Sequence, residues 1–173
     1  MLRRLALAAL LALPLPPAPA AEAAPVRWAR NGHSYEAVHV PEGVTWLQAQ
    51  AMARARGCRW HLATLTSAAE DRFAFRLLAG RPEFFAFGFG PWFGGAQRAG
   101  APEPDRGWRW VTGEPSGYRH WKFGEPNNLG GAENRLQFWP NGEWNDEDDA
   151  LLAPGFIAEF DPALSCPRWS PAP

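Results

Sequence analysis

Five oxygen-bearing side chains fall close together in the chain: Glu125, Asn127, Glu133, Asn145 and Asp146, the last four lying two, eight, twenty and twenty-one residues after the first. Three carboxylates and two amide carbonyls, with no cysteine or histidine among them, are ligands for a hard cation, and calcium fits them best. Turn-forming residues (Asn128, Gly130, Gly131, Asn141, Gly142) interrupt the set. The ligands are therefore expected on surface loops rather than in a buried layer. The acidic run Asp146 to Asp149 lacks the alternating acids, central glycine and closing glutamate of an EF-hand loop. The residues point to a calcium site that doubles as a ligand-binding site.

The chain around this cluster has 173 residues, enough for one domain with a real core. A net charge of −1 gives no basis for nucleic acid or an anionic membrane as partner. Ten Trp and eleven Phe beside 18 Pro and 17 Gly describe a loop-rich domain pinned by large aromatics. Trp110 and Trp144 are read as core pieces rather than ligand platforms. Nothing pairs a nucleophile with a base, so the chain reads as a binding protein and not an enzyme. The four histidines (His33, His39, His61, His120) make no zinc pattern and are expected in solvated or core roles.

Residues 1–24 read as a secretory signal peptide: Arg3 and Arg4, an apolar run from Leu5 to Leu13, then Ala18-Pro19-Ala20 and Ala21-Glu22-Ala23. Cleavage after Ala20, Ala23 or Ala24 fits equally. The apolar run is shorter than the roughly 20 residues a membrane span needs. An exported protein, periplasmic or secreted, follows. In that setting the two cysteines, Cys58 and Cys166, are expected to form a disulfide, the rival being two unpaired thiols with Cys58 a small buried residue. A bridge enclosing over 100 residues would contribute roughly 4–5 kcal/mol through chain entropy.

Two helices are marked by their caps. Thr45 with Gln48 opens a run through Arg56, with Leu47, Ala51 and Ala55 at four-residue spacing. Ser67 with Glu70 opens a second run to about Leu78, with Ala69, Phe73 and Leu77 on one face and Gly80 as the stop. Leu62 to Leu65 reads as a short extended piece. Trp92 to Ala96, Trp108 to Val111, Arg135 to Trp139 and Phe156 to Phe160 read as strands between turns. Helices first and short antiparallel strands later make an α+β domain over residues 26–162, followed by a proline-rich tail over 163–173.

From Gly32 to Phe160 the chain resembles a C-type lectin-like domain. The resemblance rests on ordered motifs: His61-Leu62-Ala63-Thr64 at the helix pair, Trp92-Phe93-Gly94-Gly95, Trp108-Arg109-Trp110 followed by Gly113, and Trp121. Glu125-Pro126-Asn127, Glu133-Asn134, Gly142, Trp144-Asn145-Asp146 and Gly155 to Phe160 continue the order. The five ligand positions match the spacing of the family's principal sugar-binding calcium site. The resemblance implies that Glu125, Asn127, Glu133 and Asn145 also hold the sugar, that the Glu125–Pro126 bond is cis, and that a sugar's vicinal hydroxyls complete the calcium shell. The Glu-Pro-Asn order implies a mannose, GlcNAc or fucose type. The loop after it, Asn128 to Ala132, has no ring to stack on. The fold also serves protein ligands in this family, so a calcium-stabilised module that binds a protein partner is the alternative.

Departures from the family pattern carry their own expectations. Neither of the two disulfides of vertebrate members is present. One lost pair aligns with Ala55 and Ala158, which implies that the first helix and last strand meet through two small side chains. The other aligns with Arg135 and Asp149, read as an ion pair near the binding loops or as two unrelated surface charges. Members without these cysteines are familiar from bacteria, so the resemblance implies a bacterial exported protein. The family's auxiliary calcium site looks degraded, with Asn128 and Asn134 where carboxylates would serve, although Asp105 leaves it open.

Overall fold

A computed structural model describes residues 24–115 and 117–166. The expected leader and the end of the proline-rich tail lie outside the described residues. Eight strands form one sheet: β1 (Val26–Arg27), β2 (Ser34–Val44), β3 (Trp60–Leu62), β4 (Trp92–Gln97), β5 (Trp108–Trp110), β6 (Glu133–Phe138), β7 (Trp144–Asp148) and β8 (Ala153–Phe160). The main path runs β1-β2-β8-β4-β6-β7, with β3 added to β8 and β5 to β4. Pairing is antiparallel except where β4 meets β8 at Trp92 and Phe156. The sheet is thus mixed, not wholly antiparallel as expected. Ser34 of β2 faces Arg27 on one side and Phe160 on the other, so the first and last strands flank the start of β2.

Helix α1 (Trp46–Ala55) begins as its cap signals require: the Thr45 hydroxyl accepts from the Gln48 N–H and the Gln48 side chain accepts from the Thr45 N–H at 3.0 Å. Its buried face is Trp46, Ala49 and Ala53, and Leu47, Ala51 and Ala55 point outward. The expected apolar face was displaced because Trp46, at the first helical position, outweighs three smaller residues. It is buried and its indole N–H donates to the Phe93 carbonyl at 2.9 Å. Ala158 is fully buried beside Ala53 and Leu62, while Ala55 is exposed, so that expected contact is not how α1 meets β8.

Helix α2 (Ala68–Arg76) is capped by the Ser67 hydroxyl, but the Glu70 carboxylate does not turn back to complete a box. It binds Thr66 instead, accepting from its N–H and hydroxyl, both at 2.8 Å. The buried face of α2 carries Glu70, Asp71 and Ala74, whereas Ala69, Phe73 and Leu77 are partly exposed. Apolar periodicity misplaced this face because two of its members are carboxylates buried among hydrogen-bond donors.

Two aromatic-rich clusters fill the interior. One gathers Tyr35, Phe93, Trp110, Phe138, Trp144 and their neighbours; the other packs α1 against Leu62, Trp92 and Phe156. Phe93 sits 4.7 Å from Phe138 and 5.5 Å from Trp144, ring centre to ring centre. Gly94 and Gly95 permit this density: a Cβ at Gly95 would lie 2.0 Å from Leu136 Cδ1, and one at Gly94 would lie 2.5 Å from the Leu62 carbonyl. Cys58 and Cys166 are disulfide-bonded across 108 residues, tying the end of α1 to the segment beyond β8.

Candidate functional site

The Glu125–Pro126 bond is cis and reverses the loop so that Asn127 and Asn128 turn towards β7. Their N–H groups donate to the two oxygens of Asp146, at 2.9 Å and 2.8 Å. The Asn127 amide donates to the Glu125 carboxylate at 2.5 Å. Asn128 adopts a left-handed backbone (φ 48) and accepts from the Glu133 N–H at 3.1 Å, and the Leu129 N–H donates to the Glu133 carboxylate at 2.6 Å. Backbone donors therefore fix the carboxylates of Asp146 and Glu133, and the Asn127 side-chain amide fixes that of Glu125.

The site is less loop-like than its turn residues suggested. Glu133 opens β6, and Asn145 and Asp146 lie on β7, whose register places Asn145 opposite Gln137 and Asp146 opposite Leu136. Asp146 is wholly buried, and Glu133 and Asn145 are nearly so. Only Glu125 and Asn127 stand on an irregular loop. Strand β7 escaped the sequence pattern because four polar residues follow Trp144, which masks the alternation of a half-buried strand.

Crowding of like charge appears in the proton affinities. Burial, and then the neighbouring charge of Asp146, raises the Glu125 carboxyl above its ordinary range. Burial pushes Glu133 up to about 7, with Asp146, Glu147 and Glu125 adding to the effect against the Leu129 N–H. Glu147, beside Asp146 on β7, is also raised, mainly by burial. Three carboxylates with two amide oxygens and a deficit of positive charge suit a divalent hard cation. The Glu125, Glu133 and Asp146 oxygens do not all come within 4.8 Å of one another. Asn145 is not hydrogen-bonded to the other four ligand candidates; its carbonyl accepts from the Trp139 indole N–H at 3.1 Å. The Lys122 ammonium lies over that indole, 4.3 Å from the ring centre.

Other expected residues fall into place around the cluster. Arg135, on β6, donates to Asp149 at 3.1 Å and lies 4.7 Å over the Trp46 ring. Asp105 is exposed and faces Arg106 at 3.5 Å. Two features were missed in the sequence. Phe123 is 99% exposed at the tip of a turn closed by the Glu125 N–H on the Lys122 carbonyl, and Leu129 is 74% exposed on the other side of Asn127. The second feature is a buried polar knot in which Glu70 and Glu159 share the Tyr35 hydroxyl, at 2.6 Å and 3.0 Å, and His33 reaches Glu159 at 2.5 Å. That hydrogen bond raises the His33 pKa against the effect of burial. These residues come from β2, α2 and β8 and share no local motif, so no sequence signal could have joined them. His61 is buried, His39 packs edge-on to Phe84, and His120 bonds Asp71.

No family model matches the chain. A C-type lectin of Cerberus rynchops is 31% identical over 140 residues, a stretch covering 79% of this chain and 82% of that protein. The chain belongs to the C-type lectin family. Human C-type lectin domain family 10 member A is 28% identical over 71% of the chain, which spans about a third (36%) of that longer protein. Among solved structures, the C-type lectin CEL-I from Cucumaria echinata matches with a TM-score of 0.66 at 26% identity, over 80% of this chain and 97% of that one. The matched relatives are animal proteins. Two helices against a mixed sheet of short strands are thus the C-type lectin fold, and the matched relatives are lectins, not enzymes. Among the described residues no helix is long and apolar enough to cross a membrane.

Proposed function

We propose that this lectin binds calcium through Glu125, Asn127, Glu133, Asn145 and Asp146, and holds sugars of the mannose, GlcNAc or fucose type at the same place. The observation that carries the reading is the bonded run from Glu125 through Asn127 to Asp146, with Glu133 near enough for its charge to be felt and both glutamates resisting ionisation. When bound, the ion offers coordination positions that two neighbouring sugar hydroxyls can take in place of water. The chain's residues do the rest. Glu125 and Glu133 accept the hydroxyl protons in hydrogen bonds, and the amide groups of Asn127 and Asn145 donate to the hydroxyl oxygens. The Trp139 N–H fixes which end of the Asn145 amide faces inward, with its carbonyl held at 3.1 Å. Discrimination rests on the order of acceptor and donor along Glu125-Pro126-Asn127, since exchanging them would reverse the polarity offered to each hydroxyl.

The domain proposed to act is residues 26–162, exported behind the leader read in residues 1–24 and followed by a tail over 163–173; a bacterial source belongs to the same proposal. Calorimetry tests it: calcium should bind the mature protein with heat, and methyl α-mannoside should bind only afterwards, with a chelator reversing both. No heat with calcium at neutral pH refutes the site. A second reading, a calcium-stabilised module for a protein partner, draws on Phe123 and Leu129, exposed apolar side chains flanking Asn127. Calcium binding with no response to any monosaccharide would favour it.

A further inference from the structure

We infer that Asp71 is a positioning residue that holds the two halves of the candidate calcium site in register; the inference rests on the calcium-binding reading above. Asp71 lies on α2, 1% exposed, in a segment that contributes no ligand. Its carboxylate accepts three hydrogen bonds: from the Trp144 indole N–H at 3.0 Å, from His120 Nδ1 at 2.6 Å and from the Tyr118 hydroxyl at 3.0 Å. Those donors come from two of the three segments that carry the ligands, Glu133 lying apart on β6. Tyr118 and His120 lead into the loop of Glu125 and Asn127, and Trp144 immediately precedes Asn145 and Asp146.

The main chain joins the same segments. The Trp144 N–H donates to the His120 carbonyl at 2.7 Å, and the Lys122 N–H donates to the Trp144 carbonyl at 3.0 Å. Strand β7 is held in the sheet by β6, and these bonds fasten the strip from Tyr118 to Lys122 to its start. Asp71 adds a tie from α2 to both. The chemistry calls for a carboxylate: three donors converge, and an aspartate offers two oxygens and no hydrogen. An asparagine of the same shape keeps a carbonyl on the Trp144 indole only by turning its NH2 toward Tyr118 and His120, which must then both accept, so the present donor set and the negative charge are lost. Asp71 touches none of the five ligand candidates in the bonds just described, so its effect on them passes through backbone placement.

The test measures calcium binding by calorimetry, and methyl α-mannoside binding at saturating calcium, for wild type, Asp71→Asn, His120→Leu and His120→Asn. Asp71→Asn and His120→Leu are expected to weaken calcium about tenfold while leaving sugar affinity within twofold once calcium saturates. His120→Asn returns an amide N–H to the place of Nδ1–H and is expected to restore most of the calcium affinity that His120→Leu loses. A space-filling role for Asp71 and His120 would not produce that restoration. Wild-type calcium affinity in both Asp71→Asn and His120→Leu overturns the inference and leaves the calcium site standing. Absence of calcium binding by wild type overturns the calcium reading itself. Should Asp71→Asn fail to fold, the two His120 variants decide alone, equal affinities for them counting against the inference.

Discussion

Calcium affinity should fall steeply with acidification, because Glu133 must lose its proton before it can serve as a ligand. Without a cation, burial beside Asp146 and Glu147 pushes this carboxyl up to about 7. Taking 7 and full ionisation in the calcium-bound state, the apparent dissociation constant scales as 1 + 10^(7−pH). That factor is roughly 30 at pH 5.5 and about 1.3 at pH 7.5, a loss of about 25-fold between them. Glu125 is raised as well, so the measured loss should not be smaller. Binding at pH 6 should release about 0.9 proton from Glu133, against about 0.1 at pH 8. Calorimetry in two buffers of different ionisation enthalpy counts those protons. Glu133→Gln, which keeps a carbonyl ligand but has nothing to titrate, should flatten the pH dependence while weakening calcium at every pH. The stability of the calcium-free protein runs the opposite way with pH. A carboxyl raised on folding stabilises the calcium-free protein below its unfolded pKa and loses that contribution as pH rises towards 7. Calcium should therefore raise the Tm more at pH 7.5 than at pH 5.5. A dissociation constant equal at the two pH values, with no proton released at pH 6, would refute this account of the site's electrostatics.

Further outcomes follow from the packing. Thr45→Ala removes one half of the α1 capping box and should cost about 1 kcal/mol in urea unfolding, with calcium affinity unchanged. Gly95→Ala places a Cβ where Leu136 Cδ1 stands 2.0 Å away and should destabilise by about 1–3 kcal/mol, read as a lower Tm. Arg135→Ala should destabilise more than Asp149→Ala, because Arg135 loses its place over Trp46 as well as the ion pair; a double-mutant cycle separates the two contributions.

Caps and strands with strong aromatic punctuation were legible in the sequence. Thr45 and Ser67 mark the two helix starts, and Trp92, Trp108 and Phe156 fall within strands that the pattern of short apolar runs already outlined. Burial was less legible, because the inward faces of both helices depend on tertiary partners: Trp46 overrode a weaker alanine stripe, and Glu70 and Asp71 turned inward to meet donors from distant segments. Strand β2 was missed since Glu36, Pro41 and Gly43 interrupt its apolar residues, although most of it pairs with β8. Within the site, residue types and spacing located the five oxygens but not their depth. Their turn-rich neighbours suggested exposure, whereas the β6–β7 ladder carries three of them inside. The knot of His33, Glu70 and Glu159 was invisible because sequence distance hides a cluster that only the packing of α2 on the sheet brings together.

The placing of β1 and β8 on either side of Ser34 has a mechanical consequence. Whatever polypeptide continues from either terminus departs from a common root, so one tether can hold the domain as a stem holds a head. Force along that tether would be taken by β1, an edge strand held by β2, and past Phe160 by the Cys58–Cys166 bridge, before it reached the ladder of β6 and β7.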